Sequence, residues 1–237
     1  VIISCGPNEQ NGNGGHAHND KLSFELCVDG EDIIVDPGTY TYTADPRWRN
    51  KFRSTAYHNT VEIDGEEQNR FCEDELFRMN CNAVVRVNNW ETNAECDILE
   101  VEHTGYQRLK DSVIHRRRVV FNKMRGCWII KDVLIGEGKH RVESHLHFAP
   151  LEVKMINTKS PKKMIEIKGK KAEVVVIFPN IDKKLSMFVE QGWVSPCYGE
   201  KLKAPTIKYC DEVKMSFYFQ LLIDHHAFTM MKNGGVF

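Results

Sequence analysis

The sequence predicts an all-β fold of antiparallel strands, a large sandwich or barrel with few short helices. Three observations carry that prediction. Apolar and polar residues alternate with period two along most of the chain. Turn-forming clusters interrupt the alternation at about 8–12 residue spacing. No long stripe of 3.6-residue period with caps at its ends appears anywhere.

The elements follow in order. LSFELCV (22–28) alternates and runs into Asp-Gly, and EDIIVDPGTY (31–40) is an apolar run closed by Asp-Pro-Gly. DPRWRNKFRSTA (45–56) is the best helical candidate, with Asp45 as N-cap and Pro46 in the first position. NTVEIDGEEQ (59–68) alternates Val61 with Ile63 and stops at Asp64-Gly65, a hairpin signal. NAVVRV (82–87), RRRVVFN (116–122), GCWIIKDVLI (126–135) and HRVESHLHFAP (140–150) continue the series. LEVKMIN (151–157), KMIEIKG (163–169), AEVVVIFP (172–179), LSMFVE (185–190) and VKMSFYFQLLI (213–223) complete it. There is no internal repeat and no low-complexity linker. One continuous β architecture is expected, with a softer boundary near Pro150, because the unusual chemistry lies before it.

At 237 residues, 41% hydrophobic and 27% charged, the chain is ordinary globular material rather than a disordered tail. No stretch approaches the ~20 apolar residues of a membrane helix. The net charge of −1 hides a split. Residues 1–75 carry 6 Lys+Arg against 15 Asp+Glu, and residues 76–237 carry 26 against 18. An acidic start suits cation binding, and a basic remainder suits a polyanion or simply well-solvated strand faces. The 8 cysteines contain no C-x-x-C pair, so buried free thiols are the expectation. The opening VIISCGPNEQ has neither an initiator Met nor a signal peptide, which suggests a piece of a larger protein.

Three stretches could carry chemistry. The first is Gly12-Asn13-Gly14-Gly15-His16-Ala17-His18-Asn19-Asp20. Its glycines mark a loop, and in an extended segment His16 and His18 share a face, a common way to offer imidazoles to a metal or a substrate. The plain alternative is a solvated loop. The second ends the apolar run Ile33-Ile34-Val35 at Asp36, a carboxylate at the rim of the core, or else an ordinary turn-forming Asp before Pro-Gly. The third, Arg53-Ser54-Thr55-Ala56-Tyr57-His58-Asn59-Thr60, is a polar approach to a strand. Two histidines and one carboxylate suit tetrahedral Zn²⁺ with an open position for water, and Mn²⁺ or Ca²⁺ fit with more oxygen ligands.

The stretch GNGGHAHNDKLSFEL…IIVDPGTYTYTADPRWRNKFRSTAYHNTVEIDGEEQ closely resembles the heparinase II/III-like family of polysaccharide lyases, and YQRLKDSVIHRRRVVF…WIIKDVLIGEGKHRVESHLHFAP fits it more loosely. The likeness is strong over residues 1–150 and faint beyond. It implies a large antiparallel β-sandwich of the super-sandwich type over residues 1–237. In the family this domain normally follows an N-terminal α/α-toroid, which this chain lacks. It also implies β-elimination across 4-linked uronic acids of an acidic polysaccharide, of glycosaminoglycan or alginate type. Such chemistry needs a neutralised carboxylate, a base for the C5 proton and an acid for O4. By residue, His16 matches the catalytic histidine, His18 and Asp36 match metal ligands, and His58 is the choice for the third. Asn19, Asp20, Arg53 and Asn59 lie in the matching motifs and read as substrate or supporting contacts. The family's catalytic tyrosine and a carboxylate-neutralising asparagine belong to the helical domain, so the fragment alone is expected to be nearly inactive. Family habit suggests a bacterial periplasmic or secreted protein.

Other residues weigh less. Trp48, beside Arg47 and Arg49, is a candidate sugar contact, whereas Trp128 reads as core. His145 and His147 read as a polar sheet face with Glu143, opposite Leu146 and Phe148. His225 and His226 read as surface, and His103, His115 and His140 have no local support. A non-catalytic carbohydrate-binding sandwich is the alternative of a different class. A cupin needs a glutamate shortly after its H-x-H pair, and here the next acids are Asp20 and Glu25, at the wrong spacing. Nucleic-acid binding has no recognisable motif behind it.

Overall fold

The computed structural model describes residues 1–8, 10–156, 162–179 and 186–225. In chain order, β1 (Ile2–Ile3), β2 (Phe24–Val28) and β3 (Glu31–Ile34) lead to helix α1 (Pro46–Phe52) and strand β4 (Val61–Ile63). A meander follows: β5 (Val85–Thr92), β6 (Cys96–His103), β7 (Val113–Asn122), β8 (Cys127–Gly136) and β9 (Lys139–His147). The rest is β10 (Glu152–Ile156), β11 (Lys163–Lys168), β12 (Glu173–Phe178), β13 (Ser186–Val194), β14 (Leu202–Lys214) and β15 (Phe217–Asp224).

These strands form three antiparallel sheets. The largest has the order β10-β11-β12-β15-β8-β7-β6-β5, the second β13-β14-β9-β4, and the smallest β1-β2-β3. A bridge between Ile34 and Phe148 ties the smallest sheet to the end of β9. One apolar cluster draws on all three: Phe24 and Ile33, then Leu146 and Ile207, then Ile130 and Ile165. Each such side chain contributes roughly 1.5–3 kcal/mol by leaving water. Helix α1 forms as its sequence predicts. Asp45 accepts from the backbone N–H groups of Arg47 and Trp48, and Pro46 begins the first turn. Asn157, Leu185 and His226 lie outside the described residues.

The structure departs from the sequence expectations at specific points. Asp64 and Gly65 adopt positive φ of 56° and 69°, so the turn forms. Yet β4 pairs with β9, and only a bridge from Ile63 to Glu66 closes the turn. The same dipeptide at Asp29-Gly30 does close a hairpin, between β2 and β3. Most of β14 is unforeseen because Pro205 interrupts its pattern, and the single run expected over 213–223 splits between the end of β14 and β15. Pro205 sits opposite Gln191, and its carbonyl accepts from Phe148 N at 3.1 Å. The eight thiols are free, as expected, but only Cys127 is buried. Cys27 faces out because the alternation of β2 gives its apolar face to Phe24, Leu26 and Val28.

The expected polar face of β9 is also absent. Residues from Val142 to Phe148 are all buried, because β9 lies between β4 and β14 and is covered on both sides. Tyr57 packs on His147 with ring centroids 5.3 Å apart. Burial pushes His145 down to about 4 and His147 down to about 3, so both are neutral core residues. Trp128 is core as read, stacked on Phe121 at 4.9 Å. His225 is half-buried, with its Nδ1 2.7 Å from the Gly126 carbonyl.

Candidate active site and metal centre

The glycine-rich loop is irregular backbone rather than the start of a strand. Gly14 takes φ +63°, and a Cβ there would lie 3.0 Å from the Met79 carbonyl. Gln10 Oε1 accepts from Gly15 N at 2.9 Å, and Asn19 N donates to Arg53 O at 2.9 Å. So held, the loop turns His16 and His18 into one cleft of about 550 Å³, which Asp20, Glu25 and Asp36 also line. His16 is exposed, and its ring meets Tyr42 and Phe77 edge-on at 5.5 and 6.0 Å.

The other two segments deliver their ligands by different means. Asp36 follows β3, and its Oδ1 accepts from Gly38 N at 2.8 Å in the Asp-Pro-Gly turn. His58 follows the 3-10 turn Thr55–Tyr57, with its N–H on the Thr55 carbonyl. The structure thereby brings His18, Asp36 and His58 together, with one donor atom from each inside a 4.8 Å span. His58 Nδ1 donates to Asp36 Oδ2 at 2.8 Å. Its other nitrogen, Nε2, is buried and has no hydrogen-bond partner among the described residues. A buried imidazole nitrogen is rarely left so, and this one marks a place where a partner would bind.

Electrostatics follow this geometry. Burial works to raise the Asp36 carboxyl, but the charge and hydrogen bond of His58, with His18, outweigh it and hold Asp36 at about 2. Burial works to lower His58, and Asp36, Asp20 and Glu67 outweigh it, so His58 lies above the usual histidine value. Burial first, then the charge of His58, pushes His18 down to about 3. A neutral His18 and an ionised Asp36, with a His58 that becomes a donor at Nε2 when an ion displaces its proton, form a donor set that suits a borderline divalent ion.

One neighbour opposes the ion. Arg49, fully buried on α1, donates from Nη1 to His18 Nε2 at 2.8 Å and from Nη2 to Gly15 O at 3.2 Å. A neutral imidazole has one lone pair and one N–H, and arginine only donates. While Arg49 uses that lone pair, His18 has none left for a metal, so the two partners exclude each other.

The remaining predicted residues divide. Arg53 is buried, and its guanidinium donates to the carbonyls of Cys72, Glu75, Leu76 and Arg78 and to Asn50 Oδ1. Asn59 is buried between strands, donating to Phe24 O and Val35 O and accepting from His147 N. Asn19 exchanges bonds with Asn69 and donates to Glu67 Oε2 at 2.7 Å. The sequence reads these three as substrate or supporting contacts. The structure uses them as internal ties, because their polar groups are spent on backbone and side chains of the fold. Trp48 is half-buried, and Lys201 Nζ lies 3.3 Å over its ring, so that face is already covered.

Other residues carry no sequence motif. Arg49 and Glu25 line or support the site without a local signal; Glu25 Oε2 accepts from Asp36 N at 3.3 Å. Beneath the site lies a buried network. Arg117 grips Asp132 with Nε and Nη2 at 2.8 and 2.9 Å, and its Nη1 donates to Leu22 O and Asn59 O. His115 lies 2.6 Å from Asp132 and 3.2 Å from His103. A charged residue inside each apolar run, Arg117 in RRRVVF and Asp132 in IIKDVLI, is the signal that would have found it.

Comparison with known proteins places these observations in context. The family model of the heparinase II/III-like C-terminal region matches residues 1–220. A heparin-sulfate lyase of Pedobacter heparinus is 26% identical over 200 residues, covering 82% of this chain and 27% of that protein. A heparin-sulfate lyase of Bacteroides stercoris is 24% identical over 88% of this chain and 28% of its own length. The crystal structure of heparan sulfate lyase HepC from Pedobacter heparinus superposes with a TM-score of 0.74 at 21% identity, over 94% of this chain and 32% of that one. That of heparinase III gives 0.71 at 17% identity, with 93% and 32% covered. The chain thus spans less than a third of the length of these relatives.

Proposed function

The chain belongs to the heparinase II/III-like C-terminal family, and on that premise we propose that it is the β-sandwich part of a polysaccharide lyase. Its substrate is an acidic, uronate-containing glycan of heparin-sulfate type, cleaved by β-elimination. One observation above all supports this reading: an exposed imidazole, His16, shares a cleft with His18 and Asp36 of the donor set.

In the proposed step His16 takes the C5 proton of the uronate. The C–H electron pair forms the C4–C5 double bond, the C4–O4 bond breaks, and O4 receives a proton. Exposure lets the ring of His16 reach a bound sugar, and its edge-on contacts with Tyr42 and Phe77 limit its orientation. The proton donor for O4 is assigned to a helical domain that completes the cleft in the full-length enzyme. His18, Asp36 and His58 would hold a divalent ion, Zn²⁺ first and Mn²⁺ or Ca²⁺ next, which supplies positive charge at the cleft floor and joins three loop segments. A bacterial periplasmic or extracellular location fits a polymeric substrate.

The test uses the full-length enzyme. His16→Ala should lower turnover by about 10²–10⁴-fold while glycan binding persists, followed by ultraviolet absorbance of the unsaturated product. Unchanged turnover would remove His16 from the reaction. Metal analysis should find a bound divalent ion in the wild type and not in His18→Ala. The isolated chain should bind the glycan but turn it over barely.

A further inference from the structure

A segment far along the chain packs on a turn that borders the cleft. The loop joining β13 to β14 lies on the turn that carries Asp36: Ser195 N donates to Pro37 O, and Gly199 N to Tyr40 O, both at 2.7 Å. Gly38, at φ +82°, is the contact point, since a Cβ there would lie 2.4 Å from the Ser195 carbonyl. Two backbone bonds and a steric fit fix this loop beside the site.

The loop places Tyr198 at the end of a row of rings. Phe77, Tyr42 and Tyr198 stack in sequence, with centroids 5.6 and 5.7 Å apart and planes inclined by 30° and 27°. His16 stands edge-on to the first two. Phe77 is 43% and Tyr198 62% exposed, a large apolar area for a surface that gains nothing from showing it. One cation lies over the row and a second, three residues from Tyr198 in the chain, lies over neighbouring rings. The Arg49 guanidinium lies 5.0 Å over Tyr42. Lys201 holds its ammonium over Trp48, Tyr40 and Trp193 at 3.3, 4.5 and 5.1 Å. Among the described residues no carboxylate pairs with Lys201, so its charge is oriented by rings but not neutralised.

We propose that the β13–β14 loop supplies a glycan subsite, in which Tyr198 stacks on a sugar ring in line with Tyr42 and Phe77 and Lys201 meets an acidic substituent. The assignment rests on the lyase reading above and names residues for its substrate contact. Flat rings with hydroxyl tips suit the apolar face of a hydrated sugar, and the two cations select an anionic one. The subsite replaces Trp48 as the stacking platform, because Lys201 covers the Trp48 face.

A heparin-derived tetrasaccharide titrated into the 237-residue chain and followed by NMR tests this. Tyr198→Ala should weaken binding by about fivefold or more, and Tyr198→Phe by about twofold or less. Lys201→Gln should weaken it by about threefold or more and flatten its salt dependence. Trp90→Ala, a 66% exposed ring on the largest sheet, should bind as the wild type. Thermal melts of these surface variants should match the wild type. Wild-type affinity in both Tyr198→Ala and Lys201→Gln overturns the subsite and leaves the lyase reading standing; it is the result expected if Tyr198 faces another protein domain. A wild-type chain that ignores the tetrasaccharide overturns the lyase reading itself.

Discussion

Two of the molecule's aspartate–histidine pairs have nearly the same length and behave in opposite ways. Asp36 and His58 are 2.8 Å apart at the cleft floor, and Asp132 and His115 are 2.6 Å apart in the interior. In both, burial works against the carboxylate, the partner charges outweigh it, and the acid is held at about 2. The histidines diverge. His58 is raised because Asp36, Asp20 and Glu67 outweigh its burial. His115 is lowered because burial dominates and Arg117 already neutralises Asp132. The interior pair is closed, with every neighbour bonded in turn. The cleft pair is open, with Asp36 about a third exposed at 32% and His58 Nε2 without a hydrogen-bond partner among the described residues. A closed pair stabilises the fold, and an open one is a place for something to bind.

The largest effect should come from opening the closed pair. Arg117→Met leaves Asp132 charged and buried, and should cost about 3–5 kcal/mol in urea unfolding. Asp36→Asn should cost less than half as much, since water reaches that carboxylate. Equal costs would erase the distinction between the two pairs.

A second effect concerns what keeps the open pair accessible. Arg49→Gln gives up a guanidinium hydrogen bond to His18 worth about 1.5–3 kcal/mol, and so should tighten Zn²⁺ binding by roughly tenfold in calorimetric titration. Unchanged or weaker affinity would mean that Arg49 does not compete for His18.

The smallest effect probes a carboxylate with no histidine at all. Glu62 sits opposite Glu143 across β4 and β9. Burial, then the charges of Glu67 and Glu143, push its carboxyl up to about 7 against the help of Lys208 and Arg141. Its folded value exceeds its unfolded one, so the folded state holds the extra proton. Stability from this group is full below about 4.5 and falls as pH rises toward 7. Glu62→Gln should therefore leave the melting temperature unchanged at pH 4 and raise it at pH 8, by about 1–2 kcal/mol in stability. A variant equally stable to wild type at both pH values would mean Glu62 ionises freely.

Much of the fold is legible in the sequence because period-two alternation and turn chemistry are local. Helix α1 appears where Asp45 and Pro46 place it. What alternation cannot say is which strand lies beside which. Asp29-Gly30 joins two neighbours and Asp64-Gly65 does not, although their backbone angles are nearly alike. The site shows the same limit. His18, Asp36 and His58 stand out as residue types in distinct motifs, and the structure brings them together. Arg53 and Asn59 stand in equally suggestive motifs, yet their hydrogen bonds run inward, to carbonyls remote in sequence. Arg49 and Tyr198 matter through neighbours 31 and 156 residues away, and no local pattern records those.

The Gly38–Ser195 contact has a practical consequence for anyone cutting or recombining this domain. Motif density suggests a minimal unit ending near Pro150, but such a truncation would strip the 36–40 turn of its neighbouring loop. It would also remove β14, the partner of the whole of β9. The domain is therefore indivisible for engineering: grafts, permutations and chimeras should carry the first forty residues and the β13–β14 loop as one inheritance.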